Sequence, residues 1–128
     1  MKAAIFCVIA LWVSSASAFD PAHVERLRDT GHCKGCNLNG FKFPKGANLA
    51  RANLTGANLG GANLSWATLI GANLGGANLA HANLNEAFLT NANLTDANLS
   101  RANLTNANLS WANLTNANLG GVIGYKRF

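Results

Sequence analysis

Charged side chains are scarce in this 128-residue sequence, where only 12% of the residues are Asp, Glu, Lys or Arg. Aromatic residues make up 8%, and the chain has two prolines. The low charge argues against a disordered polyelectrolyte. Although 49% of the residues are apolar, they are spaced too evenly for several membrane spans. We expect one domain from the length, with no room for a second, catalytic domain.

One continuous apolar run occurs, and it lies at the start of the chain. Lys2 precedes the apolar residues 3–13, and the small residues Ala16, Ser17 and Ala18 follow. Eleven residues span roughly 16 Å as a helix, whereas a bilayer core is about 30 Å thick. The pattern favours a cleaved secretory signal peptide at residues 1–18 over an uncleaved anchor. It predicts export to the periplasm or outside the cell, without stable membrane insertion after cleavage.

The positive charges are not arranged for binding nucleic acid. The formal net charge is +5, but most of the cations precede residue 47. Residues 47–121 carry only Arg51 and Arg101 against Glu86 and Asp96. Nucleic-acid binding requires a stripe of cations that neutralises several phosphates. We therefore expect no nucleic-acid partner.

A five-residue repeat dominates the rest of the chain. From residue 47, fifteen consecutive units read Ala, Asn, Leu and two variable residues, and only Thr68 and Phe88 replace the Asn. On an α-helix the leucines would rotate by roughly 140° per unit and circle the axis. On a flat strand an odd period would send neighbouring leucines to opposite faces. A chain that bends once per unit can instead point every Leu inward.

Stacking such coils predicts where each repeat position lies. Coils about 4.8 Å apart can exchange backbone hydrogen bonds along the stack. The Leu fills the interior, and the Ala points inward where only a small side chain fits. The Asn points outward, where like amides can form ladders between coils. Stability is then a sum over neighbouring units.

These units resemble the pentapeptide repeat family over residues 47–121. The resemblance implies an all-β solenoid, a right-handed quadrilateral β-helix with four units per coil and about four coils. Residues 36–45 resemble two degenerate units, and Gly46 reads as a one-residue bulge. The β-helix is therefore predicted to cover residues 36–121.

Solenoids need caps, because open coil ends expose unpaired backbone and apolar surface. We assign residues 19–35 to an N-terminal capping helix and a C-x-x-C turn. Asp20 followed by Pro21 is typical of a helix start, and Gly31 is a plausible stop. The helix is expected at about residues 21–30, over the first coil.

At the other end, residues 122–128 form a predicted C-terminal cap or tail. Its apolar residues could cover the last coil: Val122, Ile123, Tyr125 and Phe128. Because this tail is short, an end-to-end homodimer is an alternative.

Cys33 and Cys36 form the chain's only chemical motif, C-x-x-C. A structural disulfide is favoured in an exported protein. The alternatives are two free thiols, a redox-active pair, or a metal site with His32 as a further ligand. Covalent haem is excluded because Asn37, not His, follows Cys36. A C-x-x-C at a cap also recurs in the family that the repeats resemble, which favours a structural role.

No catalytic site is expected. Glu86 and Asp96 lie two units apart, so a four-sided coil puts them on opposite sides, where they cannot share a substrate or a metal ion. His81 lies near Arg101 of the next coil, and an exposed His at a variable position is nearly always simply solvated. We predict no catalytic residue, no cofactor and no resident metal.

The remaining candidate site is a partner-binding patch. On a 20-residue coil, Ile70, Phe88 and Trp111 fall on one side together with Thr68, and Trp66 lies at its edge. Outward apolar side chains on a small protein suggest a contact surface. The sequence therefore predicts an exported, non-enzymatic structural or protein-binding module.

Two alternative functions remain open. A thiol-disulfide or metal-binding protein would use Cys33 and Cys36. Some members of the family resemble DNA and bind type II topoisomerases, but those depend on an acidic surface that this neutral repeat lacks.

Overall fold

The computed structural model describes residues 19–125. The predicted signal peptide at residues 1–18 and the last three residues of the predicted tail lie outside the described residues. Within the described part the single helix, α1, spans Pro21–Thr30, and the remaining ordered backbone consists of isolated parallel β-bridges. In residues 19–125, no helix has both the length and the apolar content for crossing a bilayer.

The bridges define a coil of four units. From Asn48 onward every bridge joins two residues that are 20 positions apart, such as Asn53 with Asn73. Each unit therefore lies directly under the unit that is four places earlier. The first three bridges, which begin at His32, Asn37 and Lys42, span 21 residues. One extra residue thus lies between Lys42 and Asn48, where Gly46 was predicted as a bulge.

A tight turn bends the chain at the end of each unit. The Ala N–H donates to the carbonyl of the Leu three residues earlier, as in Ala57 to Leu54 at 3.0 Å. The residue before the Ala has a positive φ, 65° at Gly56 and 62° at Trp66. A positive φ at the third residue is what a type II turn requires. Because the turn comes so soon, each side of the coil pairs through one residue rather than through a long strand.

The Leu and Ala residues of the repeat fill the interior, as the spacing predicted. Leu54, Leu74 and Leu94 lie above one another, since the preceding Asn residues are bridged in series. The Leu54 N–H donates to the Asn73 carbonyl at 2.8 Å. The same pattern satisfies the backbone polar groups from coil to coil. The buried set contains no polar or charged residue among those described.

The Asn residues contribute to their own turns more often than to ladders. Asn58 Oδ1 accepts the N–H of Gly60 at 3.0 Å, and the same bond recurs around the coil. Such an Asx contact stabilises a turn locally. Amide ladders between coils also form, from Asn78 to Asn58 and from Asn93 to Asn73, each at 3.1 Å.

Helix α1 lies over the first coil. Asp20 accepts the N–H of Ala22 at 2.9 Å, and Gly31 ends the helix in the left-handed region at φ 73°. Val24 and Leu27 are fully buried against the coil. These bounds match the helix predicted from the sequence.

The bridge ladder extends beyond the predicted β-helix bounds of 36 and 121. His32 pairs with Asn53, so a further unit precedes residue 36, with Cys33 buried at the Leu position. Ile123 pairs with Asn103, so the next coil begins within the segment predicted as a tail. Neither segment carries the Ala-Asn-Leu pattern, which is why the spacing alone stopped short.

Candidate functional site

A disulfide joins Cys33 and Cys36 at the junction of α1 and the first coil. Their Cα atoms are 5.3 Å apart, within the usual range for a disulfide. Both residues point into the core and are buried. Cys36 occupies the inward Ala position of its unit, so the bond fastens two neighbouring units from inside.

Helix α1 covers this disulfide. The Cys33 Sγ lies 3.2 Å from the His23 carbonyl oxygen, and an Arg26 guanidinium N–H points at Cys36 Sγ from 3.7 Å. Thiol-disulfide exchange requires that a thiolate reach a sulfur atom. Here the sulfurs lie beneath the helix, so the arrangement suits a structural bond. Arg26 and His23 carried no sequence signal for this contact.

The two carboxylates of the repeat and the possible metal ligands were the sequence's candidates for a chemical site. No group of three or more His, Cys, Asp or Glu residues placed to hold a metal ion occurs in residues 19–125. Glu86 accepts a hydrogen bond from the Asn106 side chain directly below it at 2.8 Å. Asp96 lies two units further along, at the opposite corner of the coil. The two carboxylates therefore lie on opposite sides of the coil.

The predicted patch residues are distributed over one side and its two corners. Thr68, Phe88 and Asn108 are bridged in series, which places Phe88 in the middle of that side. Ile70 and Trp111 follow the leucines of the same side, at the corner that leads to the next side. Trp66 lies at the preceding corner. We call this surface the aromatic side and define it by Trp66, Ile70, Phe88 and Trp111.

The side chains of the aromatic side reach solvent. Their exposed fractions are 39% for Trp66, 41% for Ile70, 40% for Phe88 and 86% for Trp111. Lys45 lies over the Trp66 ring, with its Nζ 4.9 Å from the centroid, a cation–π contact. The Trp66 ring is thus held by a neighbour, whereas Trp111 projects from the last coil.

The aromatic side differs from the rest of the coil surface. Its two tryptophans occupy the turn position with positive φ, 62° in both, which carries Gly, Asn or a charged residue in most other units. Elsewhere the outward positions carry mainly Asn, Thr, Ser and Gly. Ile123 is the other large apolar residue that is exposed in the described chain, and it was assigned from sequence to the cap rather than to a surface.

The coil geometry is that of a repeat solenoid, with a helix over its N-terminal end and exposed apolar residues along one side. The family model for pentapeptide repeats matches eight copies within residues 47–85, 72–110 and 82–121. These matches cover more than half of the chain. The chain belongs to the pentapeptide repeat family.

Solved structures agree with that assignment. Rfr23, a pentapeptide repeat protein from the cyanobacterium Cyanothece 51142, is 32% identical with a TM-score of 0.57. The match covers 81% of this chain and 98% of Rfr23. HetL from Nostoc sp. PCC 7120, involved in heterocyst differentiation regulation, is 36% identical with a TM-score of 0.54. That match covers 72% of this chain and 48% of HetL. These neighbours imply a right-handed β-helix.

This chain therefore spans about half the length of HetL and almost all of Rfr23. Among curated protein sequences, none matches this chain significantly.

Proposed function

We propose that this chain is an exported, non-enzymatic module that presents the aromatic side to a partner protein. The observation that carries the proposal is the contrast between that side and the neutral, small-residue surface around it. Phe88 and Ile70 stand 40% and 41% exposed among Asn, Thr and Ser residues. Exposed apolar patches of this kind mark interaction sites.

The chemistry of the aromatic side suits a protein interface. Trp and Phe are enriched at the centres of protein–protein interfaces, while Lys, Glu and Asp are depleted there. The backbone that carries Ile70 and Phe88 is hydrogen-bonded to the coils on both sides, so little ordering is required there on binding. Family membership agrees with this, since pentapeptide repeat proteins are generally structural or binding modules.

Export is supported by the disulfide. Disulfides persist in oxidising compartments such as the periplasm and are rare in the cytosol. The N-terminal sequence pattern is that of a secretory signal peptide. The mass of the recovered chain tests this directly, because cleavage after Ala18 leaves Phe19 as the first residue.

The alternative functions have less support. A thiol-disulfide or metal-binding role for Cys33 and Cys36 would require sulfurs that solvent can reach, and both are buried under α1. A DNA-like surface would require many acidic residues. Residues 47–121 contain only Glu86 and Asp96.

The test is a crosslinked pull-down from the exported fraction with the native chain and two variants. The first variant combines Ile70→Thr with Phe88→Asn, because Thr90 and Asn108 already occupy the equivalent positions in the coils below. The control is Asn98→Thr, a similar change two sides away. We expect a discrete set of proteins to be captured by the native chain and the control, and lost with the double variant.

Equal capture by the native chain and the double variant would overturn the proposal. Melting curves of the variants show whether any loss comes from unfolding. Because both substitutions use residues that the repeat already accepts, the melting curves should coincide.

A further inference from the structure

The aromatic side begins, in the first coil, between two exposed cations. Asn48 lies in the middle of that side, since it is bridged to Thr68 in the next coil. Lys45 lies at the corner before it and Arg51 at the corner after it, and both side chains are exposed. The N-terminal edge of the aromatic side therefore carries a positive charge at each corner.

Both cations lie against residues of the second coil. The Lys45 Nζ is 4.9 Å from the centroid of the Trp66 ring. A Cβ on Gly71 would lie 3.5 Å from the Arg51 Cγ, so the Arg51 stem passes beside the bare backbone of Gly71. The Arg51 N–H also donates to the Ile70 carbonyl at 2.9 Å. The two cations thus stand next to the two large apolar residues of the second coil.

Neither cation is neutralised by a carboxylate of the described chain. The ion pairs within residues 19–125 belong to α1 and its cap, and they join His23 with Asp20 and Arg28 with Glu25 and Asp29. The sequence contains no Asp or Glu between Asp29 and Glu86. The charges of Lys45 and Arg51 are therefore available to a partner.

The carboxylate of Glu86 lies further along the aromatic side and is already hydrogen-bonded. Glu86 occupies the same corner as Trp66, one coil further on, and is half-buried. It accepts a hydrogen bond from the Asn106 side chain at 2.8 Å. From the first coil onward, the aromatic side is therefore positive at its edge and apolar in its middle, and its carboxylate is engaged within the chain.

This order of groups fits a partner segment that is both acidic and apolar. Interfaces commonly have an apolar centre and a polar rim. Complementary charge across an interface steers the encounter and fixes the orientation, whereas like charges oppose binding. A partner's carboxylates can lie opposite Lys45 and Arg51 while its apolar side chains cover Ile70 and Phe88. A cationic segment would meet two like charges in the same place.

Other anionic partners fit this surface less well. Lipid-binding segments typically cluster about four to eight Lys or Arg residues, and DNA-binding proteins commonly neutralise about six to ten phosphates. The aromatic side offers two cations. Lys34 and Arg101, which are also exposed, lie at the two corners of the opposite side. The charge is thus sufficient for a pair of carboxylates rather than for an extended anionic surface.

We propose that the aromatic side binds an acidic, apolar segment of a partner protein, with the partner's carboxylates against Lys45 and Arg51. This inference rests on the function proposed above and names the chemistry of the partner. Trp66, Ile70 and Phe88 supply the apolar contact, and the two cations select the sign of the charge that is accepted. Because the cations lie at the exposed edge, salt should screen their contribution.

The experiment selects binders from random-sequence peptides displayed on phage. The full chain as purified is the target, with its disulfide intact. Peptides enriched on the native chain should contain an excess of Asp and Glu together with Leu and aromatic residues. On the double variant Lys45→Glu with Arg51→Glu, that excess should change to Lys and Arg. The turn accepts Glu in place of Arg51, because Glu86 has the same positive φ.

The matched control is Lys34→Glu with Arg101→Glu, which changes the net charge equally at the opposite side. Peptides enriched on this control should keep their excess of Asp and Glu. Melting curves show whether each variant is folded.

One enriched acidic peptide is then synthesised, and its affinity is measured by fluorescence anisotropy. The milder pair Lys45→Gln with Arg51→Gln should weaken binding by about tenfold, with slower association and a smaller dependence on salt. Lys34→Gln with Arg101→Gln should leave the affinity within about twofold of the native value, because these cations lie away from the aromatic side.

Four outcomes would overturn the inference. They are no enriched peptide, enriched peptides without an acidic excess, an equal effect of the control pair, or an affinity that Lys45→Gln with Arg51→Gln leaves unchanged. Phosphatidylglycerol vesicles are a further probe. If they bound the native chain and the control but not the Lys45→Glu and Arg51→Glu variant, the cations would serve lipid and the inference would be wrong.

The Ile70→Thr and Phe88→Asn double variant separates this inference from the proposed function. If it abolished the binding of enriched peptides that lack an acidic excess, the proposed function would stand and only the partner's chemistry would be wrong. If it bound the enriched peptides as well as the native chain does, the proposed function would fail as well.

Discussion

The first and the last described coils differ in what lies against them. At the N-terminal end, residues outside the repeat supply the missing groups: His23 accepts the Asn37 N–H, and Asp20 donates its own N–H to the Asn37 carbonyl at 3.0 Å. Towards the C-terminal end of the described residues the repeat continues to residue 119, and Leu109, Leu114 and Leu119 are only partly buried there. A repeating unit can extend a stack, but only a departure from the repeat can end it.

The largest expected effect distinguishes the buried interior from the last described coil. Leu84 is fully buried in the middle of the rod, so Leu84→Ala should lower the free energy of unfolding by about 2–5 kcal/mol. Leu114→Ala removes the same atoms from a partly buried site and should have a clearly smaller effect. Denaturant titration measures both.

Asn85→Ala is the control for these changes, because the Asn85 side chain points outward. Its effect should stay within about 0.5 kcal/mol. Similar losses for Leu84→Ala and Asn85→Ala would contradict the inward and outward assignment.

The next effect concerns the covered end. Reducing the Cys33–Cys36 disulfide, or replacing both residues with Ala, should cost about 2 kcal/mol, as expected for closing a short loop. Because α1 packs over these cysteines, its amides should lose protection before those of the coils. Hydrogen exchange with and without reductant measures this. If the coils and α1 lost protection together, the disulfide would not be specific to the cap.

A smaller effect is expected from the helix start. Asp20 accepts the Ala22 N–H at 2.9 Å, so Asp20→Ala should destabilise the cap by about 1 kcal/mol. Asp96→Asn is the control, since Asn91 and Asn106 occupy equivalent turn positions elsewhere in the rod. In thermal melts, Asp20→Ala should have a lower melting temperature than Asp96→Asn. Equal melting temperatures would show that the cap does not depend on Asp20.

The smallest effect is expected at Trp111. Trp111→Asn introduces a residue that tolerates the positive φ of 62°. It removes few contacts, because the Trp111 ring is mostly exposed. The free energy of unfolding should change by no more than about 0.5 kcal/mol. A large decrease in the free energy of unfolding, measured by denaturant titration, would mean that the Trp111 ring packs against its own chain.

The five-residue period predicted which side chains are buried, because it determines which of them point into the coil. Leu54, Leu74 and Leu94 could be assigned to one column from their spacing. Gly46 could be assigned to a bulge because Phe43 and Leu49 are six residues apart rather than five. Helix α1 could be placed because Asp20, Pro21 and Gly31 act locally, through capping and φ preference.

The rest depended on contacts between distant residues. His23 carries no pattern that connects it with Asn37, 14 positions away. The unit containing Cys33 lacks the Ala and Leu of the repeat. Gly35 and Gly40 are nevertheless five residues apart, and both have the positive φ of the turn that ends each unit. The candidate site was limited in the same way. Spacing could place Phe88 and Trp111 on one side, but how far each side chain is exposed does not follow from it.

In a four-unit coil, the direction in which the aromatic side faces relative to α1 depends on the number of residues between them. Removing one five-residue unit between α1 and Phe88 would rotate everything that follows by a quarter of a turn relative to the helix, while removing twenty residues would restore the original facing. Changes in length within such a chain can therefore redirect a binding face without altering a single side chain on it.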